Sequence, residues 1–159
     1  MATNGQGTEI TVGLSSCGIA AGAGDVMRAL EAEVKERGLD VKLRRTGCVG
    51  MCFREPIVDV EVPGAGKVTY GEVKPDQVAR ILDEHVVGGK AVDEWVVRAP
   101  EKACPDDSYY EQQVRLVLAN AGTIDPESID EYIARGGYES LKKVLETMKA
   151  AGNCTVEWQ

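Results

Sequence analysis

Residues 9–17 read Glu9-Ile10-Thr11-Val12-Gly13-Leu14-Ser15-Ser16-Cys17. The apolar side chains of Ile10, Val12 and Leu14 alternate with other residues, which predicts a β-strand, and the small residues that follow predict a turn. A helix is expected next, because apolar residues recur at helical spacing from Val26 to Val34, and Gly38 suits a left-handed C-cap. The chain therefore begins with a strand–loop–helix unit that presents Cys17 at the end of the strand.

The following segment predicts three more strands and a second helix. Val41 and Leu43 lie in a strand that ends at Thr46-Gly47-Cys48, and apolar runs on both sides of the turn 63–66 predict a hairpin. Pro75 suits the first turn of a helix that ends at Gly88-Gly89, and on it His85 is expected at the surface. The fold class is thus α/β with a small mixed sheet, and the right-handed crossover rule makes the first two strands a parallel pair.

The C-terminal part predicts a short α-helical tail. Periodicity fades after Val92, so we place a first domain at 1–97, a linker at 98–108, a helical segment at 109–152 and a tail at 153–159. Asp125 is expected to cap the second of three helices, with Pro126 at its first position. The expected apolar positions are Tyr110, Val114, Val117 and Leu118 in the first helix and Leu141, Val144, Leu145 and Met148 in the third. Such short amphipathic helices need a partner surface.

Composition excludes several classes of protein. Hydrophobic residues make up 43% and charged residues 28% of the 159 positions, as in a chain that folds around a core. A net charge of −8 and 5% aromatic residues argue against nucleic acid as a partner. No apolar run is long enough to cross a bilayer and no signal-peptide pattern precedes Glu9, which predicts a cytoplasmic protein. Five cysteines in such a chain indicate metal ligands or redox chemistry more than structural disulfides.

Three cysteines are candidate ligands of a metal centre. Cys48 and Cys52 flank Val49-Gly50-Met51 in a tight loop, where Gly50 lets the backbone approach the sulfurs. If the first two strands are adjacent and parallel, Cys17 reaches the same edge of the sheet as Cys48. Two other interpretations stay open: buried cysteines that only fill space, or a Cys17 thiol activated by a helix N-terminus for redox chemistry.

Residues 9 to about 90 resemble the thioredoxin-like [2Fe-2S] ferredoxin domain. The residues that carry the resemblance are Cys17-Gly-Ile-Ala-Ala-Gly-Ala-Gly after a strand, then Thr46-Gly-Cys-Val-Gly-Met-Cys, then Glu55-Pro-Ile-Val. The resemblance implies a [2Fe-2S] cluster on Cys17, Cys48 and Cys52. The family has a fourth cysteine where this chain has Val12, which cannot ligate iron. The alternatives for that position are Ser15, Ser16, Cys104, water, a partner residue, or an empty site.

From Tyr109 to about Met148 the chain is similar to the start of the flavin-bearing, NADH-binding subunit of complex I and its relatives. The chain ends before that family's glycine-rich flavin loop, so we expect neither FMN nor NAD to bind to it and no complete active site. The two resemblances imply an electron-transfer module of an NADH-oxidising complex, of the complex I or hydrogenase and formate dehydrogenase type. Its partners would be the flavin/NADH-binding subunit and other iron–sulfur subunits. The alternative is a cluster-free docking module of the same complex, and a thiol oxidoreductase is a more distant one.

Overall fold

The computed structural model describes residues 5–100 and 112–151. The chain divides into two compact units, Met1–Asp125 and Pro126–Gln159. The first unit therefore extends past the predicted linker at 98–108, of which residues 101–108 lie outside the described residues. The second unit holds the rest of the predicted helical segment.

The first unit contains a five-stranded mixed sheet with the order β2-β1-β3-β4-β5. β1 and β2 are parallel, as predicted, and each of the other neighbouring pairs is antiparallel. The predicted hairpin is confirmed as β3 and β4, which pair from Val58↔Tyr70 to Val62↔Gly66. The strands span Thr8–Gly13 (β1), Val41–Thr46 (β2), Val58–Val62 (β3), Gly66–Tyr70 (β4) and Val96–Arg98 (β5).

Three segments that contain α-helix accompany this sheet in the described part of the first unit. The short α1 spans Ser16–Ala21, and α2 spans Ala23–Arg37 and ends at Gly38, whose φ of 61° gives the expected left-handed cap. The predicted helix at Pro75 begins with a 3₁₀ turn, continues as α3 (Val78–Ile81), and widens into a π-helical stretch over Leu82–Val87. Alternate residues of β1, β3 and β4 pack against α2 and α3 in one core, whose largest side chains include Ile10, Leu30, Val60, Tyr70, Ile81 and Leu82.

Strand β5 was not predicted from the sequence. It has three residues and pairs with β4 through Tyr70↔Val96 and Thr69↔Arg98, next to an irregularity in the register. A strand this short does not show a period of two that could separate it from a loop. β5 therefore adds Val96–Arg98 to the sheet at the end of the first predicted domain.

The helix predicted around Val114–Leu118 is wrong, because residues 112–125 form irregular backbone and turns instead. Short-range bonds link Ala119 N–H to Leu116 O and Ala121 N–H to Leu118 O, while Val114 and Val117 are exposed. An isolated helix of this length is marginal unless its apolar face is buried. Tyr110, the first residue assigned to this helix, lies outside the described residues.

Instead, the segment 112–125 bonds to polar side chains of β2. Thr46 Oγ1 accepts a hydrogen bond from Gly122 N–H at 2.8 Å and donates to Ile124 O at 3.4 Å. Arg44 Nη2 donates to Thr123 O at 3.4 Å. These bonds satisfy backbone groups that a helix would otherwise pair within itself.

The described residues of the second unit form two helices, α4 (Ile129–Ala134) and α5 (Glu139–Ala151). The prediction that Asp125 caps a helix beginning at Pro126 is wrong: Ser128 is the cap, and its Oγ accepts the Glu131 N–H at 3.3 Å. Serine is as good a cap as aspartate, and this bond satisfies an N–H that the first helical turn leaves unpaired. The third predicted helix is confirmed as α5. No helix in the described parts of the chain has the length and apolar character needed to span a membrane.

His85 is buried, not at the surface as predicted, with 3% of its area exposed. Val92 N–H donates to the Tyr70 hydroxyl oxygen at 3.2 Å, which leaves the phenol proton to donate to His85 Nδ1 at 2.8 Å. Burial lowers the pKa of His85 from its ordinary 6.5 and raises the pKa of Tyr70 to about 12. The imidazole is therefore held neutral inside the core.

This burial predicts a loss of stability in mild acid. As the pH falls, the unfolded chain takes up a proton at His85 at a higher pH than the folded chain does. The contribution of His85 to the free energy of unfolding is therefore complete above pH 6.5 and is lost as the pH falls below that value. For this one group, the free energy of unfolding changes by at most about 1.4 kcal/mol per pH unit. Urea unfolding at about pH 7.5 and about pH 5.5 should show a smaller loss in His85→Gln than in the wild type. An equal loss in both proteins would contradict this assignment.

Candidate metal centre

The parallel pairing of β1 and β2 brings two distant parts of the chain to one edge of the sheet. The register runs from Thr8↔Val41 to Gly13↔Thr46, so the two strands end side by side. Leu14 N–H donates to Thr46 O at 2.9 Å, which extends the pairing past the last strand residues. Cys17 follows one strand in α1, and Cys48 follows the other in a loop.

The three predicted cysteines meet at this edge. The Sγ atoms of Cys17, Cys48 and Cys52 lie within 4.8 Å of one another, and the Sγ atoms of Cys48 and Cys52 are 3.4 Å apart. All three are free thiols; Cys17 and Cys48 are half-buried and Cys52 is exposed. The structure therefore brings together the three residues that the sequence singled out, close to solvent.

The loop that carries Cys48 and Cys52 is shaped by a glycine and anchored by a methionine. Gly50 has a φ of 93°, a left-handed conformation that a side chain would strain, and its N–H donates to Cys48 Sγ at 3.3 Å. Met51 is buried in a small apolar cluster with Ile57 and Val97. Cys52 then begins a 3₁₀ turn that ends at Arg54. The loop thus turns its sulfurs outward while Met51 packs inward.

The thiols differ in acidity because of their neighbours. Ser15 Oγ lies 2.9 Å from Cys17 Sγ, and a hydrogen bond from this hydroxyl lowers the pKa of Cys17. Hydrogen bonds with Cys48 and Cys17 raise the pKa of Cys52 to about 12. Three thiols this close cannot all ionise at neutral pH unless a cation offsets their charge. A bound metal ion would provide that charge, since coordinated thiols are deprotonated.

Glu55 is a buried acid beside this group that the sequence analysis did not select as a site residue. Its Oε2 accepts the Ile57 N–H at 2.9 Å, and its Oε1 lies 3.9 Å from Cys17 Sγ. Burial raises the pKa of Glu55. The motif Glu55-Pro-Ile-Val carried part of the family resemblance, but nothing in its spacing indicated that the carboxyl group turns toward Cys17.

Two glycines make room for the Glu55 carboxyl group. A Cβ on Gly13 would lie 3.2 Å from Glu55 Oε2, and a Cβ on Gly18 would lie 3.1 Å from the same oxygen. The Gly18 Cβ would also lie 2.2 Å from the backbone oxygen of Gly13, which no real contact allows. Gly18 therefore lets α1 approach the end of β1, and this approach positions Cys17.

The structure places Val12, where the family has its fourth cysteine, away from the site, and the candidate ligand Ser15 within it. Val12 is 0% exposed and belongs to the apolar core beneath the sheet. Ser15 lies against Cys17, whereas the Ser16 residue is exposed. Cys104, another candidate, lies outside the described residues, as does Cys154.

Comparison with known proteins assigns the fold. No protein-family model matches the sequence. The structure aligns with a thioredoxin-like [2Fe-2S] ferredoxin from Aquifex aeolicus with a TM-score of 0.53 at 23% identity, over 61% of this chain and 96% of the ferredoxin. The chain thus has the thioredoxin-like ferredoxin fold, which confirms the predicted fold class.

Sequence relatives define the family. The chain is 36% identical over 93 residues to the NADP-reducing hydrogenase subunit HndB of Solidesulfovibrio fructosivorans, covering 58% of this chain and 73% of HndB. The chain belongs to the HndB family. A [2Fe-2S] ferredoxin of Aquifex aeolicus is 40% identical over 52 residues, which are 33% of this chain and 44% of the ferredoxin.

A third relative matches only over a short stretch. The NADP-reducing hydrogenase subunit HndC of the same Solidesulfovibrio species is 62% identical over 34 residues. The match covers 21% of this chain and 7% of HndC, so the chain spans a small part of that relative.

The close approach of α1 to β1 predicts a destabilising substitution. Gly18→Ala forces its new methyl group against the Gly13 carbonyl and should lower the free energy of unfolding by about 1–3 kcal/mol. Gly24→Ala is a matched control in α2, because its Cβ would have an ordinary 3.7 Å contact with Arg28. Alanine favours a helix over glycine by up to about 1 kcal/mol. Urea denaturation of both variants checks the prediction, and equal stabilities would contradict it.

Proposed function

We propose that this chain is an electron-transfer module that holds a [2Fe-2S] cluster on Cys17, Cys48 and Cys52. The convergence of their three Sγ atoms within 4.8 Å carries the proposal. We further propose that the module serves an NADH-oxidising flavoprotein complex of the complex I or hydrogenase type. The relationship to HndB and to a [2Fe-2S] ferredoxin supports both statements.

The donor set suits an iron–sulfur cluster. Cysteine thiolates are the usual ligands of such clusters. Two thiolates on one tetrahedral metal ion, with metal–sulfur bonds of about 2.3 Å, lie about 3.8 Å apart. The 3.4 Å between Cys48 Sγ and Cys52 Sγ is close to that spacing. The bond from Gly50 N–H to Cys48 Sγ is the kind of contact that tunes a cluster's potential.

The position of the site suits transfer between proteins. When bound, the cluster supplies a centre that takes up and gives back one electron. The chain keeps the exposed Cys52 at the surface, while Cys17 and Cys48 are half-buried. A partner can therefore approach the sulfurs directly, and the short distance favours electron transfer. The free thiols of this site also suit the reducing conditions of the cytoplasm, where we place the protein.

Two other functions differ from this one in what the three thiols do: they would either bind no iron or react with one another. A docking module without a cluster would keep the fold and take no iron, an alternative motivated by valine at position 12. A thiol oxidoreductase would use Cys17 against Cys48 or Cys52. Hydrogen bonds with Cys48 and Cys17 raise the pKa of Cys52 to about 12, so Cys52 is a poor attacking thiolate, and this alternative requires Cys17, whose pKa the Ser15 hydrogen bond lowers, as the nucleophile.

For the partner, we propose the flavin/NADH-binding subunit, together with other iron–sulfur subunits of the same complex. The second unit exposes apolar side chains at helical spacing. Exposed apolar faces of this kind commonly mark a surface that a partner protein covers. In α5 these are Leu141, Val144 and Leu145. The short match to HndC, a second hydrogenase subunit, supports a role within a multi-subunit complex.

Anaerobic reconstitution with iron and sulfide tests cluster binding. The wild type should take up about two irons and two sulfides per chain, with visible charge-transfer absorption and an electron paramagnetic resonance signal after reduction. Cys48→Ala and Cys52→Ala should each lose most of the iron, because each removes one of the paired thiolates and leaves no donor atom. Cys154→Ala is the control for loss of a cysteine and should keep the wild-type iron content.

A wild-type chain that takes up no iron or sulfide would exclude the electron-transfer module. If such a chain still joined its complex, the docking function would be the correct one. Iron retained by both the Cys48 and Cys52 variants would place the cluster elsewhere in the chain.

Replacing apolar residues of α5 tests the partner surface. Leu141→Gln with Leu145→Gln removes two exposed apolar side chains while keeping good helix formers. The affinity of the chain for the flavin/NADH-binding subunit should fall at least about tenfold, which corresponds to about 1.4 kcal/mol of binding free energy. Co-elution of the two proteins should decrease accordingly. The control, Lys142→Gln with Glu146→Gln, changes two residues of the same helix without removing apolar area. Equal binding by both double variants would contradict this docking surface.

A further inference from the structure

We propose that Ser15 supplies the fourth protein ligand of the cluster, through its hydroxyl oxygen, in place of the cysteine that the family has at position 12. This inference rests on the proposed function. It assigns a role that the spacing of the cysteines alone leaves open among several residues.

The side chains at the site form two pairs. Cys48 Sγ and Cys52 Sγ are 3.4 Å apart, and Ser15 Oγ and Cys17 Sγ are 2.9 Å apart. A [2Fe-2S] centre has two irons, and four protein ligands complete their coordination. The two pairs together supply four ligand atoms, the number that the centre needs. The three sulfur atoms among them lie within 4.8 Å of one another, so the two pairs are close together.

The local fold explains why a residue at position 15 can act with Cys17. Ser15 is the N-cap of α1, and its backbone is extended, with φ −79° and ψ 174°. Its side chain makes no capping bond within this helix, and its hydroxyl group is directed to Cys17 Sγ instead. Position 12, by contrast, lies in β1 with its side chain in the core, where the valine has no donor atom.

Glu55 is the strongest competitor for the same role. Its Oε1 is 3.9 Å from Cys17 Sγ, which is 1 Å farther than Ser15 Oγ. Its other oxygen already accepts the Ile57 N–H at 2.9 Å. The niche at Gly13 and Gly18 also holds this carboxyl group on the buried side of the site. Ser15 is therefore better placed to reach a metal ion that the three sulfurs share.

The chemistry of an oxygen ligand makes the proposal measurable. On binding iron, the Ser15 hydroxyl loses its proton to solvent and becomes an anionic ligand. This oxygen is a harder donor than sulfur, so it favours the ferric state and makes its iron differ from the iron held by two cysteines. The wild-type cluster should thus have two unlike iron sites and a lower reduction potential than a cluster with four cysteines.

The experiment compares Ser15→Cys and Ser15→Ala in full-length protein reconstituted with ⁵⁷Fe. Mössbauer spectra of the oxidised wild type should show two distinct iron doublets, which become nearly equal in Ser15→Cys. The reduction potential should rise in both variants, because one replaces oxygen by sulfur and the other removes an anionic ligand. Ser15→Ala should also lose iron to a chelator at least about tenfold faster, the size of effect that changes at metal sites commonly have.

Three further variants identify the ligand if Ser15 is not the one. Ser16→Ala controls for the neighbouring hydroxyl group, Cys104→Ala tests the other candidate thiol, and Glu55→Gln tests the buried carboxyl group. The proposal is overturned if Ser15→Cys leaves the two doublets and the potential unchanged. It is also overturned if Glu55→Gln or Cys104→Ala, but not Ser15→Ala, changes them. Ser15→Cys differs by one atom, so it keeps the test decisive even where Ser15→Ala does not fold.

The wild-type iron content separates this inference from the function on which it rests. A wild type with about two irons per chain supports the electron-transfer module whatever the Ser15 variants do. A wild type without iron removes both proposals.

Discussion

The parallel pairing of β1 with β2 is the constraint on which the rest of the site depends. The two strands are separated in sequence by α1 and α2, and the register Gly13↔Thr46 makes them end together. Successive side chains of a strand point to opposite faces, so a slip of one residue would turn Ile10 and Val12 out of the core. Burial of these side chains therefore fixes the register, and the register places Cys17 beside Cys48.

Several weak contacts then hold reactive groups together at this edge of the sheet. Gly18 lets α1 pack against the end of β1, and Gly50 turns its N–H toward Cys48. Met51 fastens the loop to a small apolar cluster. Hydrogen bonds among the three thiols raise the pKa of Cys52 to about 12. The fold holds the three thiols close together although they perturb one another's pKa values, and such perturbed pKa values are typical of functional sites.

The two faces of the sheet differ in polarity, and each packs against or bonds to a different part of the chain. One face is apolar and packs against α2 and α3. The other carries polar pairs, such as Thr69 Oγ1 donating to Asp59 Oδ1 at 2.6 Å, and Arg44 Nη1 donating to Glu9 Oε1 at 2.9 Å. Arg44 and Thr46 on β2 also bond to the segment 112–125. This polar face thus orders a segment that sequence reasoning assigned to a separate helix.

The features that have a strong local pattern could be predicted from the order of the amino acids alone. Four strands, α2 and α5 follow from apolar periodicity and glycine caps, and the fold class follows from their order. The spacing of Cys48 and Cys52, with the resemblance carried by the residues around them and around Cys17, was enough to select the three cysteines that the structure brings together. These signals are local because hydrophobic periodicity and turn chemistry act over a few residues.

Features that depend on contacts between distant segments became visible in the folded chain. The short β5 exists because β4 offers an edge to pair with, and the turns of 112–125 form because side chains of β2 bond to them. His85 is buried because Tyr70 supplies a hydrogen bond across the core. The contacts of Cys17 with Ser15 and Glu55 depend on how closely α1 approaches β1. The physical reason is the same in each case: the partner that stabilises the residue is far away in the sequence, so no local pattern contains it.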